Sequence, residues 1–211
     1  MTLADIRLDY GLKGLNPDQC HADPCTQLQH WLDEALQAGV SEATAMHLAT
    51  VDANARPSGR IVLLKGLSAG ALHFYTNYDS RKGQQLAANA YASSTFFWPE
   101  LERQVRVEGR IEKLSAEHSD TYFSSRPYGS RIGAWVSAQS QVLDDPQHLV
   151  QRERELKAAY PTDVPRPPHW GGYALVAERM EFWQGRPSRL HDRVLYLPAA
   201  DGKWQRSRLQ P

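Results

Sequence analysis

Apolar residues recur at two periods along this chain, and the changes of period mark out its elements. Leu28, Trp31, Leu32, Ala35 and Leu36 follow i, i+3, i+4 spacing, which predicts a helix with one apolar stripe. Asp23-Pro24 supplies an N-cap followed by proline at the first helical position, and Gly39 is placed to end the helix. From Ala45 the pattern changes to short strand-like runs. Residues 45–51 and 60–65 flank a polar turn running from Asp52 to Pro57, and residues 71–76 follow a turn over 66–70. Residues 80–88 read as a short helix capped by Ser80. Strands follow at 93–98 and 105–114, the second alternating Val105, Val107, Gly109 and Ile111. Helices are predicted over 116–124 and 146–160, the latter with Asp145 as N-cap, before a proline-rich connector over 161–168. Strands at 173–177, 180–183, 194–197 and 203–208 close the chain. Residues 1–22 read as an irregular, flexible arm and 23–211 as a single domain. Many short strands with few helices predict a mainly β (α+β) fold, a closed or nearly closed barrel with flanking helices.

Composition narrows the choice of partners. The chain has 211 residues, 41% hydrophobic and 23% charged, ordinary for a globular domain. Its 24 basic and 24 acidic residues cancel, which argues against a domain-wide nucleic-acid footprint while leaving room for local anion pockets. The two cysteines, Cys20 and Cys25, are too few for a disulfide scaffold and lack the second Cys/His pair of a zinc site. They read as incidental thiols. None of the eight histidines belongs to a recognisable metal constellation, so no metal is expected. The first 19 residues include Asp5, Arg7, Asp9 and Lys13 and lack the apolar run of a signal peptide. No stretch approaches the ~20 apolar residues of a membrane helix. The expectation is a soluble, cytoplasmic protein without a membrane partner.

Five clusters carry candidate chemistry. Residues 60–65, Arg-Ile-Val-Leu-Leu-Lys, set a cation at each end of a strand; period two puts Arg60 and Lys65 on opposite faces, able to serve two anions. Residues 75–82 run from a strand end into a helix start, where backbone N–H groups favour a phosphate and Arg81 and Lys82 would share it. Tyr122, Arg126 and Ser130, four apart, share a face on a helix-like backbone and could cup a second phosphate. Trp135 to Gln141 reads as a loop of uncharged donors and acceptors beside an aromatic. Within residues 183–193, Arg189, His191 and Arg193 alternate, so an extended backbone would set them on one face toward something anionic. The structural alternative for each is a solvated or charged strand edge. There is no HExxH, P-loop or GxSxG motif and no evident carboxylate pair. Anion holders and aromatics without protein-borne reactive groups point to a cofactor that brings the chemistry.

Taken in order, these segments resemble the pyridoxine (pyridoxamine) 5′-phosphate oxidase family. The markers are RIVLLK (60–65), FYTNYDSRK (74–82), LERQV (101–105), SRP (125–127), IGAWVS (132–137), Gln139-Ser140, WGG (170–172), EFWQG (181–185), RLHDR (189–193) and the terminal Arg208-Leu209-x-Pro211. The resemblance spans nearly the whole chain, from Arg7 to Pro211. It implies an FMN-binding split β-barrel acting as a homodimer with FMN at the subunit interface. By position it implies FMN contacts from Arg60, Ile61, Val62, Leu63, Leu64, Lys65, Tyr75, Thr76, Arg81, Lys82, Gln104, Gln139, Ser140, Trp183 and Arg193. It further implies substrate contacts from Lys65, Tyr122, Arg126 and Ser130 at the phosphate, and catalytic contacts from Arg189 and His191 over the pyridine ring. Arg7 and Tyr10 match a mobile arm that covers the site. The implied reaction oxidises pyridoxamine 5′-phosphate or pyridoxine 5′-phosphate to pyridoxal 5′-phosphate, with dioxygen reduced to hydrogen peroxide. Two alternatives remain open at this level: a related split-barrel flavin oxidase with another substrate, such as the phenazine-biosynthesis branch, and a flavin- or pyridoxal-phosphate-binding carrier without turnover. The residues between Pro127 and Ser130 depart from the family form, so the loop's shape is less determined than its ligands.

Overall fold

The computed structural model describes residues 2–3 and 9–211. Its elements are α1 (Pro24–Gln37), β1 (Ala45–Val51), β2 (Pro57–Leu63), β3 (Gly66–Ser68), β4 (Ala71–Asn77), α2 (Arg81–Ala88), β5 (Tyr91–Trp98), β6 (Arg103–Lys113), α3 (Ala116–Ser125), α4 (Tyr128–Val136), α5 (Gln147–Ala159), β7 (Trp170–Gln184), β8 (Asp192–Pro198) and β9 (Trp204–Leu209). The nine strands form one sheet in the order β2-β1-β5-β6-β7-β4-β3, with β8 on β7 and β9 on β8. Every pairing is antiparallel. The sheet curls around an apolar interior as a split barrel, the mainly β architecture with flanking helices that the pattern predicts.

Helix α1 is the largest helical contribution to that interior. Asp23 caps it, its carboxylate accepting from Thr26 N–H at 2.7 Å, and Pro24 occupies the first turn where no N–H is needed. The stripe Leu28, Trp31, Leu32 and Ala35 is buried, with Trp31 edge-on to Phe182 at 5.2 Å. A second, smaller core of Phe123, Ile132, Leu156, Val164 and Trp170 joins α3, α4, α5 and the proline-rich connector.

Several elements differ from expectation, each for a local reason. The strands expected at 173–177 and 180–183 are one strand, β7, interrupted only by a bulge. Glu108 pairs Arg179 while Gly109 pairs Ala177, which leaves Glu178 as the extra residue. A side chain at Gly109 would come within 1.9 Å of Val176 O, so the bulge needs glycine there. The turn expected at 66–70 contains a short strand, β3. Helix α4 occupies a stretch read partly as loop, including Trp135 and Val136. Pro146 rather than Asp145 takes the cap position of α5, although the Asp145 carboxylate still accepts from Gln147 N–H at 2.9 Å.

The segment from residue 10 to residue 22 has little regular structure but many ties. Glu102 accepts from the N–H groups of Gly11 (2.8 Å) and Leu12 (2.9 Å), and Asp192 from that of Leu15 (3.0 Å). Tyr196 donates to His21 O at 2.8 Å, and Arg206 donates to the carbonyls of Pro17 and Cys20. Cys20 and Cys25 are both free thiols raised above the ordinary cysteine pKa by burial, Cys25 to about 11. Neither is a thiolate near neutral pH. Among the described residues no group of His, Cys, Asp and Glu could hold a metal ion, and no helix is long and apolar enough to cross a membrane.

Candidate functional site

A cleft of about 940 Å³ opens where β2, β4, α2, α3 and α4 meet. Among the described residues, Arg60, Lys65, Arg81, Lys82 and Arg126 line it and no aspartate or glutamate does. Five cations without a counter-charge, several partly desolvated, make a local field that favours an anion.

The chain builds one end of the cleft where β4 runs into α2. Ser80 caps α2, accepting from Gly83 N–H at 3.3 Å, and this places Arg81 and Lys82 in the first turn. Lys82 is buried and donates to Thr76 Oγ1 (3.0 Å), Gln139 Oε1 (3.1 Å) and Ser80 Oγ (3.3 Å), all neutral oxygens. Burial, reinforced by Arg60, brings its pKa down to about 8. Arg60 reaches the same end from β2, donating to Leu48 O (3.1 Å), Thr50 Oγ1 (2.6 Å), Ser58 Oγ (2.8 Å) and Gln85 Oε1 (3.2 Å). Its pKa is lowered by burial and by Arg81. Close-approaching glycines shape the wall behind. A side chain at Gly172 would press within 2.7 Å of the Tyr75 ring, so glycine lets β7 pack against that ring.

The other end is aromatic. Tyr75 stacks on Tyr122 at 3.9 Å and on Trp170 at 5.6 Å, the planes within 19° and 13° of parallel. Arg126 lies 4.6 Å over the Trp170 ring, and its buried Nη1 has no hydrogen-bond partner. Burial lowers its pKa. Arg126 thus brings a partly desolvated guanidinium to the wall of the cleft, where a phosphate oxygen could pair with it.

The sequence-assigned residues divide into two places. Arg60, Ile61, Val62, Leu63, Lys65, Tyr75, Thr76, Arg81, Lys82, Gln139 and Ser140 line the cleft, as do Tyr122, Arg126 and Ser130. Leu64 does not; its side chain is buried in the barrel core. Three geometric expectations are corrected. Lys65 lies past the end of β2, so period two does not govern it, and it lines the same cleft as Arg60 rather than an opposite face. Tyr122, Arg126 and Ser130 do not share one helix: Arg126 is extended between α3 and α4, with ψ 146°, because the following proline disfavours helical geometry. Arg189, His191 and Arg193 do not alternate on one extended face. Residues Pro187–Arg189 form a helical turn, with Ser188 and Arg189 at φ 55° and 61°.

The second place is the outward face of β6, β7 and β8. Gln104 pairs Trp183 and Trp183 pairs Arg193, so the three form a row across neighbouring strands. None of them lines the cleft, and neither do Tyr10, Arg189 or His191. Tyr10 and His191 pack on Trp183, with ring centroids 5.7 and 4.6 Å away. His191 Nδ1 accepts from Arg186 N–H at 3.1 Å, which leaves the neutral ring's proton on Nε2. Its pKa is lowered by burial and then by Arg189, which is exposed on the neighbouring turn. Arg193 is held by Glu181 through Nε (2.9 Å) and Nη2 (3.0 Å) and by Gln210 O (2.8 Å). Glu181 is buried and also bonded by Arg106; burial opposes its ionisation, yet these two arginines keep its pKa below the usual carboxylate range. Arg7 lies outside the described residues.

Sequence reasoning assigned no role to Trp170, Asn77, Ser58 or Ser137, which also line the cleft. Trp170 was visible only as part of the WGG marker. Asn77 and Ser137 lie within the candidate runs 75–82 and 135–141 without a role of their own, and Ser58 sits in a strand run too ordinary to single out.

Fold and cleft together define a split-barrel protein with a cation-lined pocket for an anionic ligand. Residues 32–158 match the family described as Pyridoxamine 5'-phosphate oxidase, and residues 170–211 match the Pyridoxine 5'-phosphate oxidase C-terminal dimerisation region. Similar curated proteins include the pyridoxine/pyridoxamine 5'-phosphate oxidase of Chromobacterium violaceum, 59% identical over all of this chain and 99% of that one. Another is its namesake from Actinobacillus pleuropneumoniae serotype 3, 56% identical over the full length of both. Among solved structures, PhzG from Burkholderia lata 383 in complex with tetrahydrophenazine-1-carboxylic acid is 30% identical at a TM-score of 0.90, covering 96% of this chain and 100% of that one. The chain belongs to the pyridoxamine 5′-phosphate oxidase family.

Proposed function

We propose that this chain is an FMN-dependent oxidase converting pyridoxamine 5′-phosphate and pyridoxine 5′-phosphate to pyridoxal 5′-phosphate, as a homodimer whose two copies jointly complete each site. The observation that carries this reading is a cleft that, among the described residues, has five cations and no carboxylate. Its cations fall in two groups, which suits two phosphates. Arg60, Arg81 and Lys82, with Tyr75, Thr76, Gln139 and Ser140, would hold FMN. Lys65, Tyr122, Arg126 and Ser130 would hold the substrate's phosphate.

When bound, FMN supplies the acceptor for a hydride from the substrate's exocyclic carbon, with dioxygen as the final oxidant. The protein's part is positioning and charge. A phosphate anchored at Arg126 fixes one end of the substrate, and such orientation can contribute ~7–11 kcal/mol to rate at best. Gln104, Trp183 and Arg193 of the second copy would complete the flavin site. Arg189 and His191 of that copy would meet the pyridine ring, His191 presenting its Nε2 proton. The dimerisation region matched by residues 170–211 contains all of these except Gln104, which supports a site shared between copies.

The likeness to PhzG keeps a second reading in view, a split-barrel oxidase acting on a ring without phosphate. The Lys65–Arg126 group favours the phosphorylated substrate, since an unphosphorylated ring leaves those cations unpaired. Oxygen consumption by the FMN-loaded protein tests this, with pyridoxine 5′-phosphate, pyridoxamine 5′-phosphate and unphosphorylated pyridoxine side by side. The expected result is turnover with the phosphorylated pair and little with pyridoxine. Flavin binding without turnover of either phosphorylated compound would contradict it.

A further inference from the structure

Arg60 is oriented by a residue that does not line the cleft. Gln85, on α2, is buried, and its Oε1 accepts from Thr50 Oγ1 (2.6 Å), Ser58 Oγ (2.8 Å) and Arg60 Nη2 (3.2 Å). One amide oxygen thus ties α2, β1 and β2 to a single guanidinium. The amide's orientation follows from chemistry, because Arg60 offers only donors and must face the oxygen.

The neutrality of this hub is informative. A partly buried arginine held by acceptors can be paired with a carboxylate, as Arg193 is with Glu181 in this same chain. At Arg60 every acceptor is uncharged: two hydroxyls, a backbone carbonyl and an amide. Such acceptors fix the direction of the guanidinium without neutralising it. We propose that Gln85 is a positioning residue that aims Arg60 at the ligand's phosphate and, being neutral, leaves the full charge of Arg60 available to that phosphate. This rests on the reading of the cleft as an FMN site.

Glutamate at position 85 separates charge from shape. It is nearly isosteric, and its oxygen still accepts from Thr50 and Ser58, but it pairs with Arg60 and competes with the phosphate. The test is titration of the apo-protein, as a full-length chain, with FMN and with riboflavin, which lacks the phosphate. Gln85→Glu should weaken FMN by about tenfold or more, the scale of one charge-assisted hydrogen bond, while riboflavin changes less than about twofold. Gln85→Met, which removes the acceptor without adding charge, should weaken FMN by a smaller factor and again spare riboflavin; it keeps the test open if the glutamate variant does not fold. Equal losses for both ligands would reduce Gln85 to a structural role and overturn the proposal, as would no loss for either. A wild-type protein that binds FMN no more tightly than riboflavin would instead overturn the underlying reading of the cleft.

Discussion

Lys82 ties the chemistry of one residue to a pH dependence. Its folded pKa, about 8, lies below the ordinary 10.5 because burial, and then Arg60, disfavour the charged form. Between those values the unfolded chain holds more protons than the folded one, so this group makes apo-protein stability rise with pH across that window. On the proposed reading the FMN phosphate pairs with the charged lysine, so FMN affinity should move the other way and fall as pH rises through about 8. Fluorescence titrations from pH 7 to 10, where the phosphate stays dianionic, check this; a flat affinity would remove Lys82 from the phosphate site. On the proposed reading Arg126 holds the substrate's phosphate alike in ground and transition states. Arg126→Ala should therefore raise KM about 10–150-fold with kcat little changed, and a fall in kcat at constant KM would exclude that role. Arg189→Ala should keep its FMN and lose about a hundredfold in turnover, read as flavin absorbance against oxygen consumption. Loss of flavin at unchanged turnover per bound flavin would contradict it.

At the scale of elements, Glu181 joins β6, β7 and β8 by pairing with Arg106 and Arg193. Removing its charge leaves two arginines facing an uncharged buried side chain. Glu181→Gln should destabilise the fold by ~1–3 kcal/mol in denaturant titrations, the scale of a lost charge-assisted hydrogen bond. Since the folded pKa of Glu181 is lowered, its contribution is present above the ordinary carboxylate pKa and lost as pH falls through the folded value. A loss below 1 kcal/mol at neutral pH would mean the network is not structural. Elements with strong periodicity were legible from sequence: α1, with its Asp23-Pro24 start, and the alternating strand β6. What was not legible followed from competing local physics. Pro127 forces Arg126 to be extended, and so splits what i, i+4 spacing presents as one helical face. The bulge at Glu178 places charged residues mid-strand, which imitates a turn. The turn over Pro187–Arg189 places two non-glycine residues at positive φ, which no alternation rule anticipates.

At the scale of the whole molecule, the assigned residues occupy two places that one chain does not bring together. The cleft holds both cation groups, whereas Tyr10, Trp183, His191 and Arg193 cluster on the outward face of β6–β8. Sequence order alone could not separate these sets, because nearness in space is decided by strand order and by how two copies meet. The division is what a site shared across a two-fold interface requires. It is tested by mixing two inactive variants, Arg60→Ala from the cleft and Arg189→Ala from the outer face, under conditions that exchange subunits. If each site takes its cleft from one copy and its outer face from the other, a mixed dimer places both changes in one site and leaves the other intact. Random exchange should then restore about one quarter of wild-type oxygen consumption with pyridoxine 5′-phosphate. Mixed dimers that form and stay inactive would show that each site is complete within one chain, against this account.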